Sequence, residues 1–196
     1  MNRNILDAGK KDQILKVAQD LFAKFGLSKT TIEDIAKSMR MAKASIYYYF
    51  KNKEAIYEEV IKKEGEEVKR EITKAVDKAT TAKEKLRTYI LSRINVFKKM
   101  ANYYTVFKEE YLNNYRFVVE ARDRYTDFEL NLIKNILKFG IENGEFEIEN
   151  PDLTAEAILV AMKGFEYHWT FDIPDDQIEH NLDILLNVLY KGIEKR

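Results

Sequence analysis

The sequence contains no cysteine, only 2 prolines and only 7 glycines among its 196 residues. Without cysteine the chain can form no disulfide and no thiolate metal site, and it has no thiol nucleophile. No apolar run approaches the roughly 20 residues that a transmembrane helix needs, and the polar N-terminal segment does not resemble a signal peptide. We therefore expect a soluble protein of the cytoplasm that does not enter a membrane.

The sequence also lacks the short signatures of the common enzyme classes. It has no Gly-rich phosphate loop, no Gly-x-Ser-x-Gly and no His-Glu-x-x-His. Its two histidines, His168 and His180, have no third ligand at a metal-binding spacing and no plausible acid/base partner. We expect a protein that is not an enzyme and that holds neither a metal nor a cofactor.

Helix-forming residues, in contrast, are abundant. Hydrophobic residues make up 45% of the chain and charged residues 34%, and the apolar positions recur at helical spacing without the alternation of strands. The sequence predicts an all-α protein of about nine helices, near residues 10–24, 30–39, 43–50, 53–76, 81–100, 102–113, 116–142, 150–169 and 176–194. The helix starts are marked by capping signals: Thr30 with Glu33, Asn52, Thr81 with Glu84, and Asn150 before Pro151.

Basic charge is concentrated near the N-terminus. Residues 1–55 hold 11 Lys and Arg against 6 Asp and Glu, whereas the remaining residues hold 22 against 27. A basic segment on an acidic body favours a polyanionic partner. We predict a small domain in residues 1–55, a linking helix over about residues 53–76, and a larger helical domain in residues 56–196.

Two short predicted helices, separated by a tight break near residues 40–42 and preceded by a longer helix, form a helix-turn-helix pattern. The second helix of such a pattern enters the major groove of DNA. Ile46, Tyr49 and Phe50 have core spacing, which leaves the small and polar side chains for base edges and phosphates. The predicted DNA contacts are Thr31, at a helix start, and Lys43, Ala44, Ser45, Tyr47, Tyr48 and Lys51.

This region resembles the N-terminal domain of TetR-type (TetR/AcrR) transcriptional repressors over about residues 10–57. The shared patterns are Ala18-x-x-Leu21-Phe22-x-x-x-Gly26, Thr30-Thr31-Ile32-x-x-Ile35-Ala36 and Lys43-x-Ser45-Ile46-Tyr47-x-Tyr49-Phe50-Lys51-Asn52-Lys53-Glu54. The chain departs from the family at Arg40, where a turn glycine is usual, and at Ala42, where a capping serine is usual. The resemblance implies that Lys51 contacts a phosphate and that the C-terminal domain binds a small effector.

Aromatic residues crowd the C-terminal domain, and such residues usually build a core. They would also line the apolar pocket that the resemblance implies. The predicted ligand-binding residues are Tyr103, Phe107, Tyr111, Phe128, Phe165, His168 and Trp169. This lining predicts an apolar, elongated effector. The first candidate is an acyl chain or its thioester, and the second is an aromatic compound. For Arg93, Arg116, Arg122 and Arg124 we favour surface ion pairs over contact with an anionic head group.

The sequence thus predicts a homodimeric repressor that a small apolar effector releases from a palindromic operator. Apolar rows in the last two helices are suited to the dimer interface: Ala157, Ile158, Ala161, Met162, Phe165, Leu182, Leu185, Leu186 and Leu189. Two other classes stay open. One is an activator or a DNA-packaging protein with the same N-terminal module, and the other is a helical lipid-binding or scaffolding protein with a vestigial DNA-binding head.

Overall fold

A computed structural model describes the backbone of residues 2–100, 102, 105, 112, 114–167 and 174–193. It describes the side chains of the same residues apart from 2–8, 97, 98, 165–167 and 175. In this part of the chain there are eight helices and no strand, which confirms the all-α class. The predicted helix at residues 102–113 lies largely outside the described residues.

The helices follow the predicted order along the chain. Seven of the predicted helices that the structure describes begin and end within a few residues of their expected positions, and the first is longer because it starts at Asn2. They are α1 (Asn2–Lys29), α2 (Ile32–Ser38), α3 (Lys43–Tyr49), α4 (Lys53–Lys78), α5 (Ala82–Lys99), α6 (Arg116–Glu142), α7 (Pro151–Tyr167) and α8 (Asp175–Ile193).

The chain packs as two compact units. The first comprises Met1–Glu66 with Met100–Arg122, and the second comprises Glu67–Lys99 with Asp123–Arg196. The described residues between 100 and 122 therefore pack with the N-terminal helices, although more than thirty residues separate the two segments in the sequence. This division reflects packing alone, and the functional boundary near residue 55 stays a prediction.

Apolar side chains of α1 to α4 form the core of the first unit. The ring of Tyr57 lies at its centre, 5.0 Å from Phe22 and 6.1 Å from Phe117, with an edge-to-face geometry in both pairs. Lys53, at the start of α4, donates hydrogen bonds to the carbonyl oxygens of residues 27, 28 and 30. An ammonium group thus satisfies the C-terminal carbonyls of α1 and ties α4 to it.

The junction between α1 and α2 corrects the predicted capping box. Gly26 has a φ of 78°, so the regular part of α1 ends where the sequence indicated. Thr30, however, is buried and donates its hydroxyl to the Gly26 carbonyl at 2.8 Å. The N-cap of α2 is Thr31, which forms the capping box with Asp34. The prediction of Thr30 with Glu33 was wrong by one residue because Thr30 still belongs to the end of α1.

In the second unit, the predicted caps are confirmed. The amide of Glu84 donates to the Thr81 hydroxyl at 3.1 Å, and Thr81 donates its amide to the Glu84 carboxylate at 3.2 Å. The side chain of Asn150 accepts a bond from the amide of Leu153 at 3.0 Å, at the start of α7. None of the helices that the structure describes is long and apolar enough to cross a membrane.

A buried ion pair joins α5 to α6 inside the second unit. Arg93 is 4% exposed and Glu129 is fully buried, and the Arg93 Nε donates to the Glu129 Oε1. The hydroxyl of Tyr89 donates to the same oxygen at 2.7 Å. The expectation of a surface ion pair is therefore wrong for Arg93. It holds for Arg116, whose exposed guanidinium lies 2.7 Å from Glu120 on the next helical turn.

Candidate nucleic-acid interface

Helix α3 has one buried face and one exposed face. Ile46 is fully buried, Phe50 is 5% exposed, and Tyr49 is half-buried between them. These three residues lie on the side of α3 that the sequence assigned to the core, and they hold the helix against the rest of the first unit. The core spacing predicted for α3 is therefore confirmed.

The opposite face of α3 carries the predicted DNA contacts. The side chains of Lys43, Ala44 and Lys51 are exposed, and Ser45 is half-buried. Tyr47 is 49% exposed and Tyr48 is 75% exposed. Aromatic side chains that pack in a core are not this exposed, so Tyr47 and Tyr48 are not core residues. A tyrosine hydroxyl can also donate a hydrogen bond to a phosphate oxygen.

The start of α2 is organised by Thr31 and Asp34. The Thr31 hydroxyl donates to the Asp34 Oδ2 at 2.6 Å, and the Thr31 amide donates to the same oxygen at 2.9 Å. The hydrogen bond from the Thr31 hydroxyl, and to a smaller extent the one from the Thr31 amide, lowers the pKa of the Asp34 carboxyl. Asp34 thus carries its negative charge beside Thr31 at neutral pH. A phosphate contact of Thr31 stays a prediction, and it would have to coexist with this charge.

The turn between α2 and α3 contains a residue in a left-handed conformation. Arg40 has a φ of 53° at the position where the family usually has glycine. The amide of Met41 donates to the Ala36 carbonyl at 2.9 Å, and the amide of Arg40 donates to the Lys37 carbonyl at 3.1 Å. This pair of bonds is the Schellman termination of a helix. A non-glycine residue in this conformation costs about 1–2 kcal/mol.

Helix α3 itself starts without a side-chain cap. Ala42 occupies the N-cap position with extended backbone angles, φ −69° and ψ 141°, and has no side-chain hydrogen bond to offer. The missing cap costs roughly 1 kcal/mol relative to serine. The turn therefore departs from the family at both positions that the sequence singled out, yet it keeps the helix-turn-helix backbone.

Three side chains in the first unit were not singled out from the sequence. The amide of Asn102 donates to the Glu64 Oε1 at 2.8 Å and to the Gln19 carbonyl at 3.0 Å. The side chain of Gln19 donates to the same Glu64 oxygen at 2.8 Å. Glu64 and Asn102 are buried, so this cluster joins α1 and α4 to residue 102 in the interior. Its members are far apart in the sequence, and no local pattern marks them.

Of the predicted ligand-binding residues, the structure describes the side chain of Phe128. It is half-buried, its ring lies 6.0 Å from that of Tyr125, and the Lys69 Nζ lies 5.9 Å from its centre. The remaining predicted residues lie outside the described part: Tyr103, Phe107, Tyr111, His168, Trp169 and the side chain of Phe165. In the described part, no group of three or more His, Asp or Glu is arranged to hold a metal ion.

Helices α7 and α8 enclose an apolar groove in the second unit. Its volume is about 310 Å³, and it is lined by Ile90, Thr154, Ala157, Ile158, Ala161, Met162, Leu182, Leu185, Leu186, Val188 and Leu189. Val188, which lines the groove from α8, is 68% exposed, and Val160 on α7 is 69% exposed. The lining includes most of the residues that the sequence assigned to the dimer interface.

Comparison with known proteins agrees with this geometry. Residues 14–60 match the family model described as bacterial regulatory proteins, tetR family. The chain is 28% identical over 156 residues to the HTH-type transcriptional repressor KstR2 of Mycolicibacterium smegmatis, which covers 77% of this chain and 73% of the relative.

Two solved structures share the fold over nearly the whole chain. A transcriptional regulator from Cytophaga hutchinsonii is 27% identical with a TM-score of 0.76, covering 95% of this chain and 100% of that one. The regulator FadR from Bacillus subtilis, in complex with stearoyl-CoA, is 24% identical with a TM-score of 0.71, covering 93% of this chain and 98% of that one. The chain is therefore similar to TetR-type transcriptional regulators both in its N-terminal residues and in the fold of its helical body, and these similarities indicate a DNA-binding regulator rather than an enzyme.

Proposed function

We propose that this chain is a ligand-responsive repressor that binds a palindromic operator as a homodimer and leaves it when a small apolar effector binds. Residues 1–55 are the DNA-binding domain in this proposal, and residues 56–196 bind the effector and the second subunit. The observation that carries the proposal is the division of α3 into a buried face and an exposed face of lysines, tyrosines and small residues. The repressor function of the relative KstR2 supports the direction of regulation.

The exposed face of α3 is suited to reading a short DNA segment. Ala44 and Ser45 lie near the start of the helix, where small side chains permit close approach to base edges. Tyr47, Tyr48 and Lys51 follow, with groups that suit phosphate oxygens. A helix of seven residues contacts few base pairs, so a second copy on a two-fold related half-site is needed for specificity.

The groove between α7 and α8 supports the dimer. It is lined almost entirely by apolar side chains, and one of them, Val188, is largely exposed at the surface of the chain, as is Val160 on α7. An apolar surface of this kind is normally covered in a soluble protein. The same two helices of a second copy would complete a four-helix arrangement, which buries the apolar rows of both chains.

The effector is proposed to be largely apolar and elongated. The residues predicted from the sequence to bind it offer much apolar area and few charges: Tyr103, Phe107, Tyr111, Phe128, Phe165 and Trp169. Each methylene that such a wall buries contributes about 0.8 kcal/mol, so a long acyl chain can bind without a dedicated head-group site. The stearoyl-CoA complex of FadR, which has the same fold, supports an acyl compound as the first choice.

The buried cluster of Gln19, Glu64 and Asn102 supports a route from effector to DNA. Asn102 is adjacent to Tyr103, the first of the predicted effector residues, and its side chain is bonded to the backbone of α1. An effector that displaces this segment would strain the bonds to α1 and α4 and shift the DNA-binding helices. The coupling requires that the effector binds the released state more tightly than the DNA-bound state.

Replacing Lys51 by alanine is expected to weaken binding to specific and random duplexes alike. Loss of one phosphate contact makes the slope of log K against log salt shallower by about 0.9. Titrations of parent and variant over a salt series measure both slopes. Lys191→Ala, which removes an exposed lysine from α8, is the matched control and should leave the slope unchanged. Equal slopes for Lys51→Ala and the parent would exclude the contact.

We expect at least one apolar compound to release the protein from operator DNA. The panel to be tested comprises long-chain fatty acids, their coenzyme A thioesters and planar aromatic compounds. Release is measured as the loss of the protein–DNA complex at increasing ligand concentration, with the thermal shift of the free protein as a measure of binding. Release by sugars or amino acids alone would contradict an apolar pocket. Binding of apolar ligands by a protein with no affinity for any duplex would favour the lipid-binding alternative.

A further inference from the structure

Arg40 has a backbone conformation that folding alone does not explain. Among the residues that the structure describes, it is the one non-glycine residue with a positive φ, and its side chain is exposed. The two bonds that end α2 are made by the amides of Arg40 and Met41. A glycine at position 40 would make the same backbone bonds without crowding of a Cβ, so the turn itself has no need of an arginine.

The side chain of Arg40 does not stabilise the fold through a polar contact either. In the described part of the chain, its guanidinium has no hydrogen bond and no ion pair. Strained backbone that persists without a structural benefit is concentrated at functional sites, where the surrounding structure maintains it. The cost of the positive φ therefore requires a gain in some other interaction of this side chain.

The place of Arg40 in the fold indicates that interaction. It precedes the N-cap of α3 by two residues, and the exposed Lys43 begins the helix. The start of a recognition helix lies in the major groove, so the turn before it lies at the rim, where the phosphates are. A guanidinium group on a long side chain is suited to bind phosphate oxygens, and it can use two of its donors at once.

We propose that Arg40 binds the DNA phosphate backbone at the edge of the groove that α3 enters, and that its strained conformation is retained for this contact. The contact is independent of base sequence and positions α3 on the duplex. This inference rests on the proposed role of α3 as the recognition helix. It adds a phosphate contact at a position where the family usually has a glycine, which has no side chain to make one.

Arg40→Gly is expected to change stability and DNA binding in opposite directions. The variant should unfold at a higher temperature because the strain is relieved, and should bind a duplex of mixed sequence more weakly. Its log–log salt slope should be shallower by about 0.9, which means that the parent loses about threefold more affinity than the variant over a fourfold rise in salt. Thermal unfolding and salt-dependent titrations of the full chain measure the two effects.

Three further variants separate charge from backbone conformation. Arg40→Asn tolerates the positive φ but has no charge, and should behave as Arg40→Gly in the salt titration. Arg40→Lys keeps the charge and should keep the parent slope. Lys191→Ala controls for the loss of one positive charge elsewhere and should also keep it.

The outcome is decisive in both directions. If Arg40→Gly keeps the affinity and salt slope of the parent while Lys51→Ala loses them, the contact proposed for Arg40 is wrong and α3 remains the recognition helix. If neither variant changes the slope, the proposed placement of α3 fails together with this inference. If Arg40→Lys has the same shallow salt slope as Arg40→Gly, the positive charge at this position does not bind the DNA and the contact is again wrong.

Discussion

The double variant Val160→Glu with Val188→Glu is expected to be a folded monomer, whereas the parent protein is expected to be a dimer. Both valines are more than two-thirds exposed in the single chain, so glutamate at these positions leaves the core of the second unit intact. In the proposed dimer they are buried, and each desolvated carboxylate costs several kcal/mol. Since about 1.4 kcal/mol corresponds to a factor of ten, the dimer dissociation constant should rise by at least a thousandfold.

Sedimentation gives the oligomeric state of this variant, and far-UV circular dichroism verifies that it is still helical. Val119→Glu is the matched control, because Val119 is 42% exposed on α6 and has no place in the proposed interface. It should remain dimeric. Replacing Leu185 and Leu189 by glutamate tests the same face but also affects half-buried residues, so unfolding is a further expected outcome there. A dimeric Val160→Glu/Val188→Glu protein would place the interface elsewhere.

Glu129→Leu is expected to lower the free energy of unfolding by about 3–5 kcal/mol. The substitution removes the carboxylate from a fully buried ion pair and leaves the charge of Arg93 in the interior. For a chain of this length, the loss corresponds to a fall of about 6–20 °C in the unfolding temperature. Denaturant unfolding at neutral pH measures the change.

The double variant Arg93→Met with Glu129→Leu is expected to recover most of this loss, because an apolar pair of similar volume leaves no buried charge. The matched control is Glu120→Leu, which breaks the exposed pair with Arg116 and should cost less than about 1 kcal/mol. If Glu129→Leu were as mild as Glu120→Leu, the interior pair would not contribute as its burial requires. A double variant no more stable than Glu129→Leu would show that neighbouring groups, Tyr89 among them, depend on the charged pair.

The helices could be predicted from the sequence because their signals are local. Asn52, Thr81 and Asn150 cap the helices that follow them, and the apolar spacing of α6 gave both of its ends, Arg116 and Glu142. Capping bonds join residues about three positions apart, and helical periodicity repeats within one turn. Both are therefore present in the sequence before any tertiary contact forms.

The recognition face of α3 was predictable for the same reason. The buried Ile46 and Phe50 and the half-buried Tyr49 lie three and four positions apart, counted from Ile46, so they determine which side of a short helix faces the core. Tyr47 and Tyr48 must then lie on other sides, and the structure shows both of them exposed. The family's fixed residue types in this segment added the expectation of DNA binding, which spacing alone does not provide.

The partners of the polar side chains, in contrast, were decided by the tertiary structure. Nothing in the sequence around Arg93 distinguishes an arginine that meets Glu129 in the interior from one that remains at the surface. Lys53 caps the end of α1, and Asn102 meets Glu64, because helices distant in the sequence pack together. The N-cap of α2 was predicted at Thr30 but is Thr31, because the backbone hydrogen bonds of α1 continue as far as Thr30. Local spacing determines which face of a helix is apolar. Only the packing of helices against one another determines which charged or amide side chains bind each other, because those contacts join segments that are far apart in the sequence.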